Sequence, residues 1–80
     1  MSEAKIADEL RDAIAASIQG SEVEVTIGKS GHYSVAVTSA AFAGKGMLEC
    51  HRMVMGAIAH LMKGDAAPVH AIDSLKTRAG

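Results

Sequence analysis

Apolar residues from Phe42 to Lys63 recur at helical steps, with Met47, Cys50, Val54, Ile58 and Leu61 in one stripe. Leu48, His51, Met55, Ile58 and Met62 run beside it. The two stripes predict one wide buried face on the longest helical pattern of the chain. Glu49, Arg52, Gly56, His60 and Lys63 then form the solvated face. Gly44 and Gly46 mark the start of this helix and Gly64 its end. An earlier helix is predicted from Ile6, Leu10, Ile14 and Ile18, with Ser2 as its cap, Glu3 in its first turn and Gly20 at its end.

Between the helices the period changes from near four to two. Glu22 to Ile27 alternates polar with apolar, and Tyr33 to Thr38 repeats the pattern with Tyr33, Val35 and Val37 on one face. Both read as half-buried strands, joined by a hairpin turn at Gly28-Lys29-Ser30-Gly31. Ser39-Ala40-Ala41-Phe42 is long enough for a single helical turn. After the loop Gly64-Asp65-Ala66-Ala67-Pro68, Val69-His70-Ala71-Ile72 starts a short third strand.

The order is therefore α-β-β-α-β, an α+β arrangement. A helix between the second and third strands allows those two to pair in parallel through a right-handed crossover, while the hairpin pairs antiparallel. Only one face of the first two strands is apolar, so both helices are expected on that face of a three-stranded mixed sheet. Residues 1–80 are expected to form a single domain around one core.

Composition refines this picture. Hydrophobic residues are 49% of the chain and aromatics 2%, so the core is built from aliphatic side chains and Met. One cysteine forms no internal disulfide. There is no charged-then-apolar leader and no apolar run of membrane-spanning length. A reducing cytoplasmic or organelle-matrix setting, with no membrane, is expected. The net charge of −1 divides unevenly: residues 1–27 carry two basic and six acidic side chains, residues 28–80 six basic and three acidic. That surplus falls short of the basic stripe of a nucleic-acid binder.

Candidate chemistry is sparse. Gly28-Lys29-Ser30 resembles the end of a phosphate-binding loop, but Val23 stands where that motif needs its first Gly. Gly44-Lys45-Gly46 offers free N–H groups ahead of a helix, and reads more simply as a flexible connection. His51 and His60 are nine residues apart and point to opposite sides of one helix, so they share no metal. Cys50 reads as a small buried hydrophobe and His51 as a structural histidine. His32 and His70 fall at strand starts on the same edge of the sheet. From the residues alone they are either two surface histidines or half of a coordination sphere completed by a partner. No nucleophile, base and acid assemble into a set, which argues against an enzyme.

Gly31-His32-Tyr33-Ser34-Val35, Ser39 to Lys45, Cys50-His51-Arg52-Met53-Val54 and Val69-His70-Ala71-Ile72 together resemble the successive motifs of the BolA family. The resemblance covers residues 3–77 and implies a fold related to the class II KH domain. It implies a non-enzymatic partner of monothiol glutaredoxins, sharing a [2Fe-2S] cluster in iron–sulfur trafficking or iron-status regulation. The family's C-terminal His ligand falls on His70, and the second ligand on or near His32. The glutaredoxin cysteine and glutathione would supply the others. Without that partner the chain is expected to hold no cofactor and to be a monomer or weak homodimer. The resemblance also implies an alternative, a DNA-binding transcriptional regulator with Lys45, Arg52 and Lys63 as contacts. Two departures stand out: the family's Arg-His-Arg is Cys50-His51-Arg52 here, and the usual C-terminal helix is absent or cut short at Thr77-Arg78-Ala79-Gly80.

Overall fold

In the computed structural model, which describes residues 3–80, Ile6, Leu10 and Ile14 are buried along the inner side of the first helix and Ile18 just past its end. This helix, α1, spans Glu3–Ser17 and is followed by Gly20 at φ +69°. The expected cap, Ser2, lies outside the described residues. Strand β1 spans Glu22–Ile27 and β2 spans His32–Thr38. Helix α2 spans Met47–Ile58, and β3 spans Ala71–Arg78. Short 3-10 turns occupy Ala40–Phe42 and Ala59–Leu61.

The sheet order is β1-β2-β3, with β1 antiparallel and β3 parallel to the central strand. Tyr33, Val35 and Val37 of β2 are 1–2% exposed and share one cluster with Ile6, Leu10 and Ile14 of α1 and Cys50, Val54 and Ile58 of α2. Because those three strand residues alternate, they lie on one face, and both helices cover it. At the end of β2, the buried Ser39 hydroxyl accepts from the Ala41 N–H at 3.1 Å and donates to the Gln19 carbonyl at 3.2 Å. That one side chain starts the 3-10 turn and ties it to the end of α1.

Three expectations need correction. α2 is shorter than the periodic run and shorter than α1, at 12 residues against 15, because its first turn begins only after Gly46 and its last gives way to the 3-10 turn. Met47 and Leu48, expected in the buried face, are 73% and 66% exposed. Phe42, 3% exposed, fills the core instead, and Cys50 is the first α2 residue to be buried. The third strand is the longest, with eight residues. It begins at Ala71, after Val69 and His70, and runs through Thr77 and Arg78. No helix among the described residues is long and apolar enough to cross a membrane.

Candidate metal-binding edge

The hairpin between β1 and β2 and the segment entering β3 meet at one edge of the sheet. The His32 N–H donates to the Lys29 carbonyl at 2.8 Å, and the Gly28 N–H donates to the His32 carbonyl at 3.0 Å, closing a tight turn. Its last residue, Gly31, has φ +78°, a conformation that glycine adopts without strain. The Gly31 carbonyl accepts from the N–H groups of both His70, at 2.8 Å, and Ala71, at 3.2 Å. Backbone hydrogen bonds thus fix where His70 leaves the chain.

The imidazole of His70 lies over Gly31. A Cβ built on that glycine would stand 2.8 Å from His70 Cγ and 2.9 Å from Nδ1, closer than any side chain tolerates. Glycine is required here twice, for its dihedral and for the ring above it. His70 remains exposed, at the rim of an open cleft of about 230 Å³ lined also by Ile6, Tyr33, Ala67 and Pro68. Burial, with the nearby Glu3 carboxylate adding to it, holds the Tyr33 hydroxyl above its ordinary pKa of 10.0.

His32 is the first residue of β2 and pairs in register with Ala71, the residue after His70. The two predicted site histidines are therefore brought to the same sheet edge. His32 Nδ1 lies 2.9 Å from Asp73 Oδ1, an ion pair when the ring is protonated. Asp73 is the residue that sequence reasoning missed, together with the contact of the His70 ring with Gly31, which the sequence placed only in the turn. The sequence holds no periodic signal for Asp73, because Ala71-Ile72 and Lys76-Thr77-Arg78 depart from alternation as much as Asp73-Ser74 does.

The other candidates lie elsewhere. The Cys50 thiol is buried and faces the carbonyls of Lys45 at 3.9 Å and Phe42 at 4.0 Å. His51 is half-buried beside a larger cleft of about 460 Å³, between α2 and the second half of β3, and His60 is exposed in the following 3-10 turn. Lys45, Arg52 and Lys63 all reach solvent. Lys45 precedes α2 and Lys63 follows it, so about 18 Å of helix separates them at 1.5 Å per residue. Among the described residues, no three or more His, Cys, Asp or Glu side chains gather into a group that could hold a metal. Any metal at the edge would take its remaining ligands from outside this set.

Comparison with known proteins agrees with this architecture. The family model described as BolA-like protein matches residues 5–79. A BolA protein homologue from Coxiella burnetii superposes with a TM-score of 0.73 at 29% identity, covering 90% of this chain and 87% of that one. A bol-like protein from Babesia bovis does so with a TM-score of 0.69 at 25% identity, covering 91% and 83%. BolA1 from Arabidopsis thaliana, at 19% identity, shares the fold with a TM-score of 0.73 over 91% of this chain and 89% of its own. No curated relative matches the chain.

Proposed function

The chain belongs to the BolA-like family, and from that premise we propose that it is a non-enzymatic partner of a monothiol glutaredoxin, sharing a [2Fe-2S] cluster in iron–sulfur trafficking or iron-status regulation. The observation that carries this reading is His70: an exposed imidazole, placed by two backbone hydrogen bonds to Gly31, at the same edge as His32. Imidazole nitrogen suits iron, and two histidines occupy half of a four-ligand set.

His70 and His32 would be this chain's ligands, with a glutaredoxin cysteine and glutathione completing the set. When bound, the cluster supplies a one-electron couple whose potential responds to imidazole ligation. The protein's own contribution is to hold two rings at an open edge that a partner can approach. Backbone pairing in the hairpin and at the start of β3 already fixes both Cα positions, so binding needs no ordering of the chain there. A cytoplasmic or organelle-matrix setting accords with the role.

DNA binding through Lys45, Arg52 and Lys63 is the less favoured reading, because these cations are spread from before α2 to beyond its end and interrupted by Glu49. The direct test is co-expression with a monothiol glutaredoxin. A coloured complex containing both chains and stoichiometric iron and sulfide is expected. If the two proteins purify separately, or the chain alone carries the full cluster, the reading fails.

A further inference from the structure

Pairing between β2 and β3 skips a residue. Tyr33 faces Ile72 and the next β2 residue, Ser34, faces Ser74, so Asp73 has no partner and forms a bulge. The consequence for the two faces is specific. Ile72 and Leu75 both pack against the core although they are three residues apart, which an unbroken strand of period two does not allow. Asp73 and Ser74 between them are both exposed.

The extra residue therefore contributes nothing to the core or to the parallel pairing, and its carboxylate is directed at the neighbouring strand. Asp73 Oδ1 lies 2.9 Å from His32 Nδ1. On the other side, Oδ2 stands 3.7 Å from where a Gly28 Cβ would be, so the hairpin backbone backs the carboxylate. The two side chains are 37% and 51% exposed, and an ion pair that open to water adds little stability.

We propose that Asp73 is a positioning residue for His32: it keeps the ring proton on Nδ1 and leaves Nε2 as the nitrogen that binds iron. The chemistry requires only that an ionised carboxylate accepts and never donates, so the nitrogen facing it must carry hydrogen. A neutral imidazole with its proton on Nδ1 has its free lone pair on Nε2. Free histidine prefers the opposite tautomer, so the carboxylate reverses the intrinsic choice. Carboxylates hold metal-bound histidines in this way, orienting the ring and raising its basicity. The iron half of the proposal rests on the glutaredoxin reading above, whereas the tautomer half does not.

The test begins with the free protein. Long-range ¹H–¹⁵N spectra, with His32 signals identified by their loss in His32→Ala, are recorded where the imidazole is neutral. The wild type is expected to show the Nδ1–H tautomer, Asp73→Ala the Nε2–H tautomer, and Asp73→Asn, whose amide oxygen still accepts, the wild-type pattern. Circular dichroism should be the same for all three. In the mixed complex with a monothiol glutaredoxin, Asp73→Ala should shorten cluster lifetime about 10-fold to 100-fold. An Nε2–H tautomer in the wild type, or an unchanged one in Asp73→Ala, would overturn the proposal. A switched tautomer with an unchanged cluster lifetime would overturn its iron half. Failure of the wild type to form any mixed cluster would overturn the glutaredoxin reading and the iron half together, while the free-protein spectra still decide the tautomer.

Discussion

At Gly31, two independent constraints meet on one residue. Its φ of +78° disfavours any side chain, and the space a Cβ would take is filled by the ring of His70. Gly31→Ala is expected to cost about 1–3 kcal/mol, read as a lower urea midpoint, and to displace the His70 ring signals in NMR spectra. An unchanged midpoint would contradict it. Tyr33, the single tyrosine, gives a second measurement. Its folded-state pKa is raised, so the folded protein keeps the phenolic proton longer than the unfolded chain does. Stability is then intact below the ordinary value of 10.0 and falls as pH climbs from there through the folded pKa. The midpoint of the native protein's tyrosinate absorbance should lie above that value, and Tyr33→Phe should flatten the alkaline loss of stability. At this scale the shared edge of His32 and His70 was legible in the sequence, because strand order alone brings their backbones together. Asp73 stayed hidden because its place depends on a skipped register, and Gly31, legible as a turn residue, gave no sign of the His70 ring above it, since neither leaves a periodic trace.

Among the elements, hydrophobic periodicity was most informative where the pattern is flanked by clear turns. β2 and the inner face of α1 follow it throughout, and β1 does so at Val23 and Val25, whereas Ile27 at its end is 41% exposed. α2 departs at its start, where the stripe continues through Met47 and Leu48 but Phe42 already occupies the core. Periodicity records which residues share a face; it does not record where along the helix the sheet beneath it ends. β3 departs in the other direction: Ala71-Ile72, the bulged Asp73-Ser74 and Lys76-Thr77-Arg78 each break the alternation that would have announced its eight residues. The difference between the two halves of α2 is measurable. Ile58→Ala, at a position 0% exposed, is expected to cost about 2–5 kcal/mol. Leu48→Ala, at 66% exposed, should stay within about 0.5 kcal/mol of the wild type in the same denaturation experiment. Equal losses would mean that Leu48 is buried after all.

For the molecule as a whole, the arrangement separates the core from the candidate ligands. Two helices cover one face of the sheet and the core lies between them, while the candidate ligands sit at the edge where the hairpin meets β3. His70 is exposed and outside the core, so its loss should leave folding largely intact. That separation permits the most direct test of the central claim, that this edge supplies iron ligands to a cluster shared with a partner. The His70→Ala protein is mixed with a monothiol glutaredoxin, glutathione, iron and sulfide, and its visible spectrum and cluster lifetime are compared with those of the wild type. With the circular dichroism unchanged, the mixed cluster is expected to be lost or to show an altered spectrum and reduction potential. A spectrum and lifetime identical to the wild type would mean that His70 binds no iron, and would contradict the claim.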